Sequence, residues 1–230
     1  MLGPFDVVVW LAAFLGEAFV LAWAFRDRTL LRHRALLVYV AALAVDEILS
    51  YTILHRFGFT SYEYLYYYYY SDAVLTLLMF VAIAGLCSHI FQEQGRSDRV
   101  RLLAVAILGI IVVYAGAVTA IKHQLLATRF AVEFSGSLYF AGMILTYGVW
   151  LLLLKRRDPR LRLVLVVSAF GIYFGGQTIT YALRAILPNL PVLHYLPPVL
   201  GAWLPLSIAY TVSKVSEEAR IPLEQLAGVW

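Results

Sequence analysis

Long apolar segments alternate with short polar segments along the 230 residues of this chain. A helix that crosses a bilayer needs about 20 predominantly apolar residues. Seven segments meet that requirement, and they cover residues 4–25, 35–54, 66–91, 102–121, 131–154, 163–187 and 196–214. The pattern therefore predicts an all-α fold, an integral membrane bundle of seven transmembrane helices. We expect residues 1–214 to form one transmembrane domain and residues 215–230 to form a short tail.

The composition supports lipid as the solvent of this chain. Hydrophobic residues make up 62% of the sequence and charged residues 14%, whereas soluble domains contain about 45–50% and about 25%. A bilayer accepts this excess of apolar surface, so it is the first partner that we expect. The net charge is +4, but the basic residues lie in short loops between apolar segments, a placement that argues against binding of nucleic acid.

The basic residues also predict the orientation of the chain. Loops 26–34, 92–101 and 155–162 carry four, three and five Lys or Arg residues, and the segment from Lys214 onward adds two. The opposite face holds Arg56, Lys122, Arg129 and Arg184. Because short loops rich in Lys and Arg stay in the cytoplasm, we expect the N-terminus outside and the tail in the cytoplasm. This charge bias suggests an inner or plasma membrane.

Tyrosines concentrate where the third predicted helix enters from the outside, between Tyr62 and Tyr70. Amphipathic rings prefer the headgroup level of a bilayer, so the run predicts a dense interfacial belt. Five adjacent tyrosines point in all directions around a helix. We therefore expect some of them to face protein, where they could line a site.

Ionisable side chains inside the predicted spans point to function, because they are costly in lipid and usually face the bundle interior or a water-filled cavity. Polar residues spaced by three or four share one helix face, and such stripes run along the outer halves of the second, third and sixth helices. The candidate ligand-binding residues, taken from these stripes and from the fifth helix, are Glu47, Tyr51, Asp72, Glu133, Gln177, Tyr181 and Arg184. We expect the arginine to pair with one of the three carboxylates, since a lone charge at that depth is expensive.

Two interpretations of these residues stay open. Either they satisfy one another and hold the helices in register, or they line a cavity that opens outward and binds a small polar ligand or conducts a proton. The spacing of Gly171 and Gly175 favours close helix packing, and Pro205 favours a kink in the seventh helix.

Catalytic chemistry has little support in the sequence. No HExxH, GxSxG or GxxxxGK[ST] motif is present, and the five histidines lie near predicted helix ends. We therefore predict no catalytic residues and no metal site, we identify no cofactor, and an intramembrane enzyme ranks last. The layout is similar to rhodopsins and heptahelical receptors in topology alone, because Lys214 lies at the inner end of the seventh helix and Pro205-Leu-Ser-Ile-Ala-Tyr210 does not reproduce an Asn-Pro-x-x-Tyr motif. No family is recognised.

The function that these patterns favour is a membrane-embedded sensing or small-ligand-binding module. An outward-facing polar pocket would receive the ligand, and helix movement would alter the basic cytoplasmic loops. Since the tail is too short for an output domain, we expect a separate cytoplasmic or membrane protein partner. The alternatives are a small-molecule or proton-coupled transporter and a structural subunit of a larger membrane complex.

Overall fold

The computed structural model describes residues 3–27, 33–58, 60–92, 97–121, 126–155, 160–187, 190, 192–216 and 219. These residues form seven α-helices: α1 Pro4–Arg26, α2 Arg34–Phe57, α3 Tyr62–Gln92, α4 Ser97–Ile121, α5 Leu126–Lys155, α6 Leu161–Ile186 and α7 Val192–Lys214. Each predicted segment corresponds to one of these helices, so the predicted all-α fold is confirmed. Most of the predicted tail lies outside the described residues.

Six of the described helices are long and apolar enough to cross a bilayer, namely α1, α2, α3, α5, α6 and α7. The remaining predicted span corresponds to α4, whose described apolar section Leu102–Val118 is shorter. Large apolar side chains on α4, including Leu102, Ile110 and Val113, are exposed. Length, composition and this exposed apolar surface all suit a membrane environment.

The connection between α2 and α3 explains why α3 begins earlier than predicted. Gly58 follows α2 with a φ of 82°, in the left-handed region that glycine adopts without steric cost. The hydroxyl oxygen of Ser61 then accepts a 3.1 Å hydrogen bond from the backbone N–H of Tyr64, which caps the new helix. As a result α3 starts at Tyr62, before the predicted start at residue 66, and takes in the tyrosine run.

Helix contacts divide the chain into two compact units. Unit 1 comprises Met1–Gly3 and His33–Gly142, and unit 2 comprises Pro4–Arg32 and Met143–Trp230. The division falls inside α5, whose first part belongs to unit 1 and whose second part belongs to unit 2. The single transmembrane domain over residues 1–214 stays a prediction.

Unit 1 is organised around α3, which packs against α2 and α4. The helices α2 and α3 are antiparallel, since Ala35 near the start of α2 lies beside Gly85 near the end of α3, while Asp46 contacts Tyr67. The largest buried side chains of this unit are apolar or aromatic: Tyr39, Met79, Phe80, Ile83 and Leu138. Packing among these side chains holds α2 against α3. The hydrogen-bonded pair of Asp46 and Tyr67 lies nearer to the α2–α3 turn.

In unit 2, α1 and α7 run in the same direction. The ring of Phe5 meets the ring of Tyr195 edge-on, with centroids 5.6 Å apart, and both residues lie near the starts of their helices. Eleven residues further along α1, a Cβ placed on Gly16 would lie 3.3 Å from the backbone nitrogen of Leu206. A Cβ at this position would require α7 to move by a few tenths of an ångström, so glycine suits this close approach of the two backbones.

The helix α6 runs antiparallel to α7 in the same unit. A Cβ placed on Gly176 would lie 2.6 Å from Cδ1 of Leu200, so α7 covers this part of α6 directly. At the start of α6, Nη1 of Arg162 pairs with Oδ2 of Asp27 at 2.9 Å. Each of these two charges lies at the end of its helix that disfavours its sign, and the ion pair offsets that cost.

The predicted Gly171 and Gly175 spacing on α6 faces the second part of α5. A Cβ on Gly171 would contact the methyl group of Thr146 at 3.5 Å, and one on Gly175 would contact the hydroxyl of Tyr147 at 3.6 Å. Both distances are those of ordinary van der Waals contacts, so α5 is a neighbour of α6 here. The expectation that this spacing allows an especially close helix approach stays a prediction.

Candidate functional site

Acidic and aromatic side chains of unit 1 meet across α2 and α3. The Tyr67 hydroxyl donates a 2.6 Å hydrogen bond to Oδ1 of Asp46 and lies 3.4 Å from the backbone oxygen of the same residue. Ser50, one turn further along α2, lies beside the same hydroxyl. A short hydrogen bond to a carboxylate is about twice as strong as one between neutral groups. It therefore joins α2 to α3 and orients the Asp46 carboxylate.

The candidate Glu47 is half-buried beside Asp46. The charges of Asp46 and Glu47 both act on the hydroxyl of Tyr64, so this hydroxyl lies within electrostatic range of the two carboxylates. Further along α2, the rings of Tyr51 and His55 are parallel with centroids 6.1 Å apart. The Tyr51 side chain is 54% exposed, so this end of the predicted stripe lies at the surface of the described chain.

The candidate Asp72 connects α3 to the first part of α5. Its Oδ1 accepts a 2.9 Å hydrogen bond from the hydroxyl of Tyr139, a side chain that is buried. The candidate Glu133 is half-buried on the same helix α5. A second tyrosine–carboxylate bond therefore ties a third helix to the hairpin of α2 and α3.

The tyrosine run divides between two environments. Its exposed members are Tyr62, Tyr66, Tyr68 and Tyr70, and these are available to lipid headgroups. The half-buried members are Tyr64, Tyr67 and Tyr69, of which the first two face the carboxylates of α2. The expectation that some of these tyrosines face protein is confirmed.

The candidate Arg184 takes a partner that the sequence did not suggest. Its Nη2 donates a 3.1 Å hydrogen bond to the backbone carbonyl of Leu193 on α7. Pro197 follows four residues later inside α7, and proline has no N–H to give that carbonyl. The arginine therefore supplies the hydrogen bond that the helix lacks. Its pairing with a carboxylate of unit 1 stays a prediction.

The rest of the predicted stripe on α6 is largely buried. Gln177 is 6% exposed, and Tyr181 is half-buried. The buried hydroxyl of Thr180 donates a 2.8 Å hydrogen bond to the carbonyl of Gly176 in the same helix. Such a bond satisfies the donor of the hydroxyl within the helix, so this threonine does not require a ligand as its partner.

The structure distributes the candidates over both units. Unit 1 holds Glu47, Tyr51, Asp72 and Glu133, and unit 2 holds Gln177, Tyr181 and Arg184. Three side chains that the sequence analysis did not select take part in the contacts of unit 1, namely Asp46, Tyr67 and Tyr139. The first two carried a visible signal, an acid next to Glu47 and a member of the tyrosine run. Tyr139 belongs to no polar stripe and carried none.

The acid groups and aromatic rings described above form what we call the unit 1 cluster: Asp46, Glu47, Asp72, Tyr64, Tyr67 and Tyr139. Among the residues that the structure describes, no three His, Cys, Asp or Glu side chains are grouped so that they could hold a metal ion. Carboxylates beside tyrosine rings attract cations through charge and through the ring faces.

Comparisons of this chain with protein-family models, with curated proteins and with solved structures found no match. Its function is therefore inferred from the geometry of its own side chains.

Proposed function

We propose that this protein is a membrane-embedded module that binds a small organic cation at an outward-facing site in unit 1. The observation that carries the proposal is the pair of tyrosine–carboxylate hydrogen bonds around α3, from Tyr67 to Asp46 and from Tyr139 to Asp72. Glu47 adds a third carboxylate. Helices that meet through such bonds can respond when a ligand competes for the carboxylate, which is what a sensing module needs.

The orientation is part of the proposal: all seven helices cross the bilayer, with the N-terminus outside and the tail in the cytoplasm. Support comes from α1 and α7, which run in the same direction. If each of α1 to α6 crosses the bilayer once, α7 begins on the same face as α1 and runs in the same direction. If α4 did not cross, α7 would begin on the opposite face and run in the opposite direction. The α2–α3 turn then lies outside, on the side of the cluster. The basic loops lie in the cytoplasm, where they would contact a separate partner protein.

The ligand class follows from charge and ring chemistry. An ammonium group over the face of a tyrosine gains about 0.5–2 kcal/mol, with the larger value when it is desolvated. A nearby carboxylate attracts the same group more strongly near a low-dielectric interior than in bulk water. An ammonium that binds Asp46 would compete with the Tyr67 hydroxyl and so loosen the contact between α2 and α3.

Three ammonium probes test the proposal: choline, tetramethylammonium and butylammonium, each titrated into the purified protein in nanodiscs. The neutral molecule 3,3-dimethylbutan-1-ol has the shape of choline without its charge. We expect saturable binding of at least one ammonium probe and none of the neutral molecule. Absence of binding by all three probes, or equal binding of the neutral molecule, would contradict the proposal.

Variants separate a ligand role of the carboxylates from a structural one. Asp46→Asn and Asp72→Asn keep an oxygen that accepts the tyrosine hydrogen bond but remove the charge. Each should weaken ammonium binding about tenfold or more, which is about 1.4 kcal/mol. The unfolding temperature should fall only slightly, because the tyrosine hydrogen bond becomes weaker but is kept. Glu63→Gln, which changes an exposed carboxylate at the start of α3, serves as the control and should bind like the wild type.

A structural subunit of a larger membrane complex is the second candidate, and one observation favours it. Several buried or half-buried polar groups already have protein partners, as with Asp46, Asp72 and Thr180, so they can serve helix register alone. Under this candidate no ammonium probe binds, and the protein co-purifies with stable partners in mild detergent. If a probe does bind, a flux assay in reconstituted liposomes distinguishes a sensor from a transporter, since accumulation of the probe requires transport.

A further inference from the structure

A buried serine on α5 takes no part in the contacts of the unit 1 cluster. Ser135 is 0% exposed, and its Oγ meets no hydrogen-bond partner among the residues that the structure describes. Leaving a buried hydroxyl without a partner is costly. Most buried polar groups are therefore paired with protein, with water or with a ligand, so the hydroxyl of Ser135 requires a partner from outside the chain.

The other buried hydroxyls on spanning helices behave differently. Thr76, Thr180 and Thr211 each donate to the carbonyl four residues earlier in their own helix, at 2.7, 2.8 and 2.8 Å. A serine in a helix can make the same local bond. Ser135 is as deeply buried as these threonines, yet its hydroxyl is left over.

Ser135 shares one face of α5 with Tyr139, because residues four apart lie one above the other on a helix. The hydroxyl of Tyr139 donates a 2.9 Å hydrogen bond to Oδ1 of Asp72 on α3. A long side chain on a helix extends back over the preceding turn, and the turn that precedes Tyr139 contains Ser135. The tyrosine that holds Asp72 therefore also covers the serine.

Asp72 and Ser135 lie at similar depths if the helices have the proposed orientation. Asp72 is ten residues after Tyr62, where α3 starts, and Ser135 is nine residues after Leu126, where α5 starts. The corresponding rises are about 15 Å and about 14 Å, and both helices begin on the outer side. A molecule that reaches Asp72 from outside therefore arrives at the level of Ser135.

We propose that Ser135 binds an oxygen that the ligand carries close to its ammonium group. The proposal rests on the proposed function, since the ammonium group binds Asp72. Binding there displaces the hydroxyl of Tyr139, and movement of the ring uncovers the turn of Ser135. The serine hydroxyl can donate to the ligand oxygen or accept from it. The ligand class narrows from organic cations to amino alcohols, either free or esterified in a lipid headgroup.

Choline and propyltrimethylammonium test the proposal on the full-length protein in phosphatidylglycerol nanodiscs, whose headgroups carry no ammonium. The two probes have the same charge and a similar size, but a methyl group replaces the hydroxyl in the second. We expect the wild type to bind choline about five to ten times more tightly, which is the effect of about one hydrogen bond. Glycerophosphocholine distinguishes the two sources: it binds more weakly than choline if the ligand is a free amino alcohol, and at least as tightly if it is a lipid headgroup.

Ser135→Ala should abolish the preference for choline and leave the affinity for propyltrimethylammonium unchanged. The unfolding temperature should not fall, because the substitution removes a buried hydroxyl that has no partner. Ser137→Ala is the matched control, since Ser137 is half-buried and points to a different face of α5, and this variant should keep the preference.

Equal affinity of the wild type for choline and propyltrimethylammonium, or a preference that survives in Ser135→Ala, would overturn this inference and leave the ammonium site standing. Binding of neither probe would overturn both the inference and the proposed function. The wild-type comparison decides the matter even if a variant does not fold.

Discussion

Replacing Arg184 by methionine tests whether this side chain completes the hydrogen bonding of α7. Methionine keeps much of the apolar stem but cannot donate a hydrogen bond. In the wild type, Nη2 lies 3.1 Å from the carbonyl of Leu193, which Pro197 leaves without a helical donor. We expect Arg184→Met to lower the free energy of unfolding, because this carbonyl then loses its donor.

The magnitude follows from measured hydrogen-bond strengths. Bonds to charged groups contribute about 1.5–3 kcal/mol in soluble proteins, whereas hydrogen bonds between membrane helices average about 0.6 kcal/mol and reach about 1.7. Because Arg184 is exposed, we expect a cost of about 1 kcal/mol. Pro197→Ala restores an N–H donor for Leu193, so Arg184→Met should cost almost nothing in that background.

A double-mutant cycle measures this coupling. The four proteins are unfolded reversibly with sodium dodecyl sulfate in mixed micelles, and helix content is followed by circular dichroism. A Pro205→Ala background is the matched control, since it restores a donor for a different carbonyl and should leave the full cost of Arg184→Met. If the cost is the same with and without Pro197, within about 0.3–0.5 kcal/mol, the assigned role of the arginine is wrong.

Three further predictions use the same unfolding assay. Gly16→Ala should destabilise the protein by about 1 kcal/mol through overpacking against α7. Gly109 has open space around it, so Gly109→Ala should stabilise the protein by up to about 1 kcal/mol because alanine favours helix. Equal effects of the two substitutions would refute the close contact at Gly16. Tyr67→Phe should cost about 1 kcal/mol and the exposed Tyr66→Phe almost nothing, and a reversed order would refute the carboxylate bond. Gly58→Ala should cost about 1–3 kcal/mol, because a φ of 82° with a ψ of 166° lies in a region essentially restricted to glycine. Gly58→Asn should cost a similar amount, and a variant as stable as the wild type would contradict this reasoning.

Helix positions were predictable because hydropathy is a local property of the chain. The largest differences arise at helix starts, where capping outweighs hydropathy. For α3, the Gly58 turn and the Ser61 cap decide that the helix begins at Tyr62. For α7, the helix begins at Val192 and includes Pro197 in its second turn, where Arg184 donates to the Leu193 carbonyl that the proline leaves without a helical donor. A threshold on apolar length detects neither effect.

The candidate site was predictable only as a set of helix faces. The stripe of Tyr51 and His55 shares a face as expected, because the spacing of one helix is fixed by its geometry. The partner of Arg184 was not predictable, since it depends on how far α6 is shifted along α7. Tyr139 was missed for the same reason, because its contact with Asp72 joins residues on two helices.

The amino-acid sequence alone determined seven apolar segments, basic loops, and the acidic and aromatic content of the helix halves that it predicts to be outer. Each of these features is set by residues that are near one another in the chain. The tertiary structure decided which acid meets which tyrosine. Asp46 and Glu47 are adjacent in sequence but point about 100° apart around α2. Only the rotation and register of α2 against α3 bring Asp46 to the hydroxyl of Tyr67, and rotation between helices depends on the packing of both surfaces at once.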